Sequence, residues 1–203
     1  NKEIRDIKLD IYNSKLQKEN IEEPIKFQKE INEESIVDEY ISNEKNATEG
    51  EIISIIEGIF QAVQMFHDNN IIHLDLKPGN IWLRPNKEAL ILDFGTARII
   101  DDPVKSKQPP MHTPGYAAPE QHREFFQPQR VGVWTDYYGL GTTLYALIER
   151  GTPKPSPNFL LNNTSLTLVE ERKGQFSERL LKIVEYLTQP DWDKRKKINL
   201  KDV

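Results

Sequence analysis

The clearest pattern of hydrophobic and polar positions lies between residues 48 and 67. Thr48 and Glu51 are spaced as a capping box, in which each side chain satisfies a free backbone N–H of the first helical turn. The apolar residues that follow recur at helical spacing and form one stripe: Ile52, Ile55, Ile56, Ile59, Phe60, Val63 and Phe66. This spacing predicts an amphipathic helix that begins after Thr48 and ends at about His67.

Further elements are predicted downstream of this helix. Residues 81–83 and 90–92 are short apolar runs, and a turn at Pro85-Asn86 would join them as a pair of strands. Residues 134–149 are strongly apolar and of helical length, and residues 177–188 have the spacing of an amphipathic helix. Helices therefore dominate the prediction for the second half of the chain.

The first 47 residues have an ambiguous pattern. They are rich in charge, contain scattered isoleucines, and precede the first glycine of the sequence, Gly50. Residues 25–31 and 35–41 can form two strands of a hairpin, and Ile7 and Leu9 alternate with polar neighbours as in a short strand. The competing interpretation is one long charged helix.

Composition and charge exclude several function classes. The net charge of −5 comes without a basic stripe, so nucleic acid is not an expected partner. The absence of cysteine rules out disulfides, thiolate nucleophiles and Cys-type zinc sites in this sequence, and it is compatible with a reducing cytosol. We find no apolar run of membrane-spanning length and no signal-peptide pattern, and we therefore expect a cytoplasmic protein.

Three motifs occur in a defined order. Residues 73–80 read His-Leu-Asp-Leu-Lys-Pro-Gly-Asn, residues 93–95 read Asp-Phe-Gly, and residues 118–120 read Ala-Pro-Glu. Their order and spacing resemble the catalytic loop, the metal-binding loop and the end of the activation segment of a protein kinase. The resemblance covers about residues 36–203.

The resemblance implies a fold and a division of the chain. It implies an α+β, protein-kinase-like fold with a mainly helical C-lobe at residues 48–203. Residues 1–47 would form a small, incomplete N-lobe and the hinge, with residues 38–41 resembling the hinge itself. Because no glycine precedes Gly50, we expect this lobe to be reduced and to lack a glycine-rich loop over the ATP phosphates.

The resemblance also assigns roles to individual residues. Asp75 would accept the proton of the substrate hydroxyl, and Lys77 would sit beside the transferred phosphate. Thr113 would hydrogen-bond both of these side chains. Asn80 and Asp93 would hold magnesium, a hard ion that takes oxygen ligands from substrate phosphates and from one or two protein groups. ATP and magnesium are thus the implied cofactors. The resemblance makes Lys77, Asn80 and Asp93 the cofactor-binding residues.

The substrate class follows from the same comparison. Lys77 and the run from Thr113 to Tyr116 resemble serine/threonine kinases, and residues 115–121 are similar to the bacterial branch of eukaryotic-like, Hanks-type kinases. The expected function is therefore ATP- and magnesium-dependent phosphorylation of Ser or Thr in a protein substrate, with a regulatory protein as a further possible partner. The alternative is a pseudokinase or kinase-derived binding scaffold that lacks a complete ATP site. A small-molecule phosphotransferase is disfavoured by Lys77 and by the Ala-Pro-Glu motif.

The resemblance also predicts two structural contacts, and the sequence differs from the family pattern at one position. Asp136 resembles the buried helix aspartate that holds the backbone of the catalytic loop, and Arg195 resembles the arginine that pairs with Glu120. Leu74 stands where the family usually has an arginine that binds a phosphate on the activation segment. Its presence implies that no phosphate-dependent switch operates.

Other candidates are weaker. Lys8 and Glu19 are the best candidates for the lysine that anchors the nucleotide phosphates and for its glutamate partner, and the competing interpretation is that both are solvated surface charges. His67, His112 and His122 lack metal-ligand spacing. We therefore expect these histidines to lie on the surface or in the activation segment.

Overall fold

The computed structural model describes residues 35–37, 41, 47–83, 89–100, 107–154, 166 and 174–197. Lys8, Glu19, the predicted strand at 25–31 and the predicted turn at Pro85-Asn86 lie outside the described residues. The N-lobe and its boundary at residue 47 therefore stay a prediction.

Helix α1 spans Glu49–Asp68 and begins as predicted. The Thr48 hydroxyl accepts the backbone N–H of Glu51 at 3.3 Å, and the Glu51 carboxylate accepts the backbone N–H of Thr48 at 2.8 Å. Most of the predicted apolar stripe is buried in the hydrophobic core, with Phe60 packed at its edge. The capping box and the stripe are both confirmed.

Three further helices carry the second half of the described chain. Helix α2 spans Val133–Glu149, α3 spans Glu178–Leu187, and α4 spans Trp192–Arg195. Tyr138 is fully buried in α2. Gly141, three residues further along α2, lets α3 approach closely because it has no Cβ. A Cβ at that position would lie 2.7 Å from side-chain atoms of Leu187 and Thr188, at the end of α3.

The strands are short. They are β1 (Ser35–Ile36), β2 (Ile71–Ile72), β3 (Ile81–Leu83), β4 (Ala89–Ile91) and β5 (Arg98–Ile99). Strand β3 pairs antiparallel with both β1 and β4, and β2 pairs antiparallel with β5. The predicted β3–β4 pair is confirmed, although β4 begins one residue earlier than predicted.

The predicted strand at residues 35–41 is present at Ser35 and Ile36 and is wrong at Val37 and Ile41, while residues 38–40 lie outside the described residues. Val37 and Ile41 have helical backbone conformation. Val37 is fully buried and Ile41 packs against the same core. Residues four apart share one face in a strand as well as in a helix, so the apolar side chains of Val37 and Ile41 fit both patterns and the sequence alone did not separate them.

The hydrophobic core lies between α1, α2, α3 and the β3–β4 pair. The described helices and small strands are consistent with an α+β fold. None of the helices in the described part of the chain has the length and apolar composition needed to cross a bilayer. Residues 73–80 and 93–97 emerge from this core as two neighbouring loops, and they carry the predicted functional side chains.

Candidate active site

The loop after β2 is held in place by helix α2. Asp136 is buried near the start of α2, and its two carboxylate oxygens accept the backbone N–H groups of His73 and Leu74, each at 2.8 Å. Asp136 therefore has the position expected of the aspartate that holds this loop. Two charge-assisted hydrogen bonds fix the backbone immediately before Asp75.

His67 lies beside Asp136, and the prediction that it lies on the surface is wrong. Its Nε2 atom is 2.8 Å from Asp136 Oδ2, and both side chains are buried. Burial alone would raise the pKa of Asp136, but the hydrogen bond and the charge of His67, together with His73, outweigh it and hold that pKa below its ordinary value. Since His67 follows Val63 by four residues, the apolar stripe itself indicated a buried position.

His73 links the two loops of the site. Its Nδ1 atom accepts the backbone N–H of Asp75 at 3.3 Å, and its Nε2 atom donates to the carbonyl oxygen of Leu92 at 3.0 Å. Burial lowers the pKa of His73, although Asp136 acts in the opposite direction. The neutral imidazole thus bridges the residue before Asp93 to the backbone of Asp75.

Asp75, Lys77 and Thr113 contact one another. The Thr113 hydroxyl donates to Asp75 Oδ1 at 2.7 Å, Lys77 Nζ donates to the Thr113 hydroxyl at 2.7 Å, and Lys77 Nζ lies 2.9 Å from Asp75 Oδ2. Asp75 and Lys77 are only partly exposed. The structure thus places a carboxylate, an ammonium and a hydroxyl together at one partly open position.

Asn80 approaches the same carboxylate from the other side. Its Nδ2 atom donates to the Asp75 carbonyl oxygen at 2.8 Å and to Asp75 Oδ2 at 3.2 Å. Both bonds use the amide nitrogen. Among the residues that the structure describes, the amide oxygen has no hydrogen-bond partner. The carbonyl oxygen of Asn80 accepts the backbone N–H of Leu92 at 2.8 Å, which brings Asp93 next to this loop.

Asp93 is exposed and has a left-handed backbone conformation, with φ at 53°. One carboxylate oxygen accepts the backbone N–H of Gly95 at 3.1 Å, and the other makes no hydrogen bond within the described ranges. Together with the Asn80 amide oxygen, it offers oxygen donors of the kind that magnesium prefers. Among the described residues, no group of three or more His, Cys, Asp or Glu side chains is arranged to hold a metal ion.

Phe94 anchors the loop that carries Asp93. Its ring packs edge-on against Phe66 of α1, at a centroid distance of 4.8 Å, and against His73, at 5.0 Å. Aromatic pairs of this geometry contribute about 0.5–1.5 kcal/mol beyond the area they bury. The orientation of Asp93 is thereby tied to the same histidine that contacts Asp75.

The segment after Thr113 is fixed by tight turns. The backbone N–H of Ala117 donates to the Thr113 carbonyl oxygen at 3.1 Å. Gly115 has φ at 92°, and a Cβ there would lie 2.6 Å from the carbonyl oxygen of Pro153. A residue with a side chain would be strained and would clash at this position.

The pair predicted from the resemblance, Glu120 and Arg195, is present. Arg195 Nη2 lies 2.6 Å from Glu120 Oε2, and both side chains are buried. Thr135 donates to the same carboxylate at 3.0 Å, and Arg195 Nε donates to the Trp134 carbonyl oxygen at 3.1 Å. The end of the segment is thus attached to α2 and α4 through a fully bonded charge pair.

Gln121 is a residue of the site that the sequence did not reveal. Its amide nitrogen donates to the Leu74 carbonyl oxygen at 2.7 Å, and its amide oxygen accepts the backbone N–H of Ala118 at 2.8 Å. The side chain is buried. A polar residue in a 3-10 helix of only three residues carries no periodic signal from which burial could be predicted.

Similarity to known proteins covers most of the chain. The phosphorylase b kinase gamma catalytic chain, liver/testis isoform, of Bos taurus is 30% identical over 159 residues, which are 77% of this chain and 36% of that protein. The probable serine/threonine-protein kinase nek2 of Dictyostelium discoideum is 28% identical over 163 residues, 77% of this chain and 38% of that protein. Serine/threonine-protein kinase PknB of Mycobacterium leprae is 35% identical over 103 residues, 50% of this chain and 16% of that protein. The chain spans less than two fifths of the length of each of these relatives.

The family comparison agrees with these relatives. The family described as "Protein kinase domain" matches residues 11–200, which includes every residue of the site described above. Given this match and the loops that carry Asp75 and Asp93, the chain belongs to the protein kinase domain family.

Proposed function

We propose that this chain transfers the γ-phosphoryl group of ATP to Ser or Thr hydroxyls of a protein substrate, with magnesium as the required ion. The observation that carries the proposal is the mutual contact of Asp75, Lys77 and Thr113. Phosphoryl transfer depends mainly on positioning and on stabilisation of charge. A carboxylate and an ammonium held within 2.9 Å of each other supply both at one place.

The roles of these three side chains follow from their chemistry. As the acceptor oxygen bonds to the γ-phosphorus and the bond to the β-phosphate oxygen breaks, the hydroxyl proton passes to Asp75. General-base catalysis of this type contributes about 10²- to 10⁴-fold. Lys77 places a positive charge beside the transferred group, and Thr113 keeps the lysine and the carboxylate in register.

Asn80 and Asp93 would hold the magnesium. The fit rests on their oxygen atoms: the Asn80 amide bonds through its nitrogen, and Asp93 uses one oxygen for Gly95. Bound magnesium neutralises charge on the nucleotide phosphates. The buried His73 and the Phe94 ring keep the two donor residues on adjacent loops.

Two observations support the choice of Ser or Thr. The Thr113 contact with Asp75 has the form expected from the resemblance to serine/threonine kinases, and two of the relatives are named serine/threonine-protein kinases. The reduced N-lobe, the bacterial branch, the regulatory partner and the cytoplasmic location stay predictions. The relatives do not decide the bacterial branch, because they include both a bovine and a mycobacterial protein.

A transfer assay tests the proposal. Labelled ATP with magnesium is offered to peptide libraries that carry a fixed Ser, Thr or Tyr, and the wild-type chain is compared with Asp75→Asn. We expect label on the Ser and Thr libraries, and a loss of at least about 100-fold in the variant. No transfer to any library would overturn the proposal and favour the alternative of a binding scaffold.

A further inference from the structure

Leu74, the residue before Asp75, has a strained backbone. Its φ is 69°, in the left-handed region that residues other than glycine rarely adopt. Such a conformation persists only where the surrounding structure enforces it, and it occurs often at functional sites. The cause of the strain must therefore lie in the contacts of the Leu74 peptide groups.

Both peptide groups of Leu74 are held by buried side chains. Its N–H donates to Asp136 Oδ1 at 2.8 Å, and its carbonyl oxygen accepts Gln121 Nε2 at 2.7 Å. Asp136 and Gln121 are each 2% exposed. Asp136 comes from α2, whereas Gln121 ends the short 3-10 helix Pro119–Gln121. Two separate elements thus clamp one residue from opposite ends of its backbone.

A structural role explains only half of the Gln121 contacts. The bond from the Ala118 N–H to its amide oxygen is a local cap of the 3-10 helix, three residues away. The bond from its amide nitrogen reaches Leu74, 47 residues away, and ends directly before Asp75. The same amide therefore joins the Asp75 loop to the end of the segment that begins at Thr113.

We propose that Gln121 is a positioning residue for phosphoryl transfer, which holds the Leu74 carbonyl so that the Asp75 carboxylate stays aimed at Thr113 and Lys77. This inference rests on the proposed kinase function. Leu74 has an apolar, buried side chain. At Leu74 the two segments are therefore linked by a neutral amide and not by a charge pair, in addition to the hydrogen bonds of Thr113 with Asp75 and Lys77.

The substitution Gln121→Glu separates the two halves of the contact. A carboxylate still accepts the Ala118 N–H, but when ionised it repels the Leu74 carbonyl oxygen, and when protonated it can donate to it. Asp75 and Asp136 line the same narrow space. Burial and these two negative charges favour protonation of the new side chain as the pH falls.

The experiment measures kcat and the KM for Mg-ATP of wild type and Gln121→Glu at pH 8.5 and pH 6.0, each relative to wild type at the same pH. We expect kcat to fall by roughly 10- to 100-fold at pH 8.5, since a displacement of about 1 Å can cost that much. The KM should change by less than about twofold, and most of the kcat should return at pH 6.0. Gln129→Glu, at an exposed glutamine, is the matched control and should follow wild type at both pH values.

A second variant, Gln121→Met, removes both hydrogen bonds at similar volume and should lose kcat at both pH values. Circular dichroism reports folding of each variant. The inference would be overturned by wild-type kcat in the folded variants. It would also be overturned if the loss in Gln121→Glu did not recover at pH 6.0, or if both variants were unfolded. An inactive wild type would instead contradict the proposed kinase function.

Discussion

His67 and Asp136 are joined by a buried contact of 2.8 Å between the imidazole Nε2 atom and the carboxylate, although 69 residues separate them in the chain. The contact connects the end of α1 to the beginning of α2. Because Asp136 also accepts the backbone N–H groups of His73 and Leu74, the packing of these two helices controls the shape of the loop that carries Asp75.

Replacing His67 should destabilise the whole domain. His67→Asn removes the side-chain hydrogen bond to the buried Asp136 carboxylate, and a hydrogen bond to a charged group contributes about 1.5–3 kcal/mol. We expect the lower end of this range, because two backbone N–H groups remain. Urea denaturation measures the change, and His112→Asn, at a half-buried position, serves as the control. Equal losses in the two variants would contradict this account of the pair.

Stability should decrease as the pH falls below about 6.5. Burial lowers the pKa of His73 below its ordinary value of 6.5, so the unfolded chain binds this proton at a higher pH than the folded chain does. Between those two pKa values the unfolded state holds more protons than the folded state. The free energy of unfolding therefore decreases as the pH is lowered, by at most about 1.4 kcal/mol per pH unit. Above the unfolded-state pKa, this contribution to stability is fully present.

Urea denaturation of wild type and His73→Gln at pH 7.5 and pH 5.5 measures this dependence. His122, whose pKa burial and His112 also lower, contributes in the same direction and is present in both proteins. The difference between the two pH dependences therefore belongs to His73. An equal dependence in the two proteins would show that His73 is not held neutral by the fold.

The Thr113 hydroxyl should contribute to turnover. Thr113→Val keeps the shape of the side chain but removes the hydrogen bonds to Asp75 and Lys77. Hydrogen bonds to charged groups contribute about 1.5–3 kcal/mol, which corresponds to a fall in kcat of roughly 10- to 100-fold. Thr113→Ser restores the hydroxyl and should recover most of the activity. Unchanged kcat in the valine variant would remove Thr113 from the proposed mechanism.

Two helical glycines should respond in opposite directions to alanine. A methyl group at Gly141 would lie 2.7 Å from Leu187 and Thr188, whereas Gly50 has no neighbouring atom within 4 Å of the new Cβ. Overpacking of a core typically costs about 1–3 kcal/mol, so Gly141→Ala should lower the midpoint of thermal unfolding. Gly50→Ala should raise the midpoint slightly, because alanine favours the helix and adds about 0.5 kcal/mol to the free energy of unfolding. A Gly141→Ala variant as stable as wild type would contradict the close packing of α2 on α3.

The sequence predicts best where the determinants are local. Helix α1 was predictable because its capping box and apolar stripe lie within 20 residues. The short β3–β4 pair was predictable because each apolar run is bounded by turn residues. The backbone at Val37 and Ile41 was not predictable, since residues four apart share one face in a strand as well as in a helix and their apolar side chains fit both patterns.

Side chains that act across the fold were harder to predict. The contacts of Asp75 with Lys77 and Thr113 followed from the family resemblance and from no local rule. His67 carried a usable signal, because it continues the buried stripe of α1. Gln121 carried none, since its burial depends on Leu74, which is close in space but 47 residues distant in the chain.

The most direct test of the account is calorimetric titration of Mg-ATP into the wild-type chain and into Asp93→Ala, with Asp68→Ala as an exposed carboxylate control on α1. The measurement needs no protein substrate and addresses the residues proposed to hold the ion. The account predicts magnesium-dependent binding of ATP by wild type and Asp68→Ala, and its loss in Asp93→Ala. Absence of binding by the wild-type chain at millimolar nucleotide, or undiminished binding by Asp93→Ala, would contradict it.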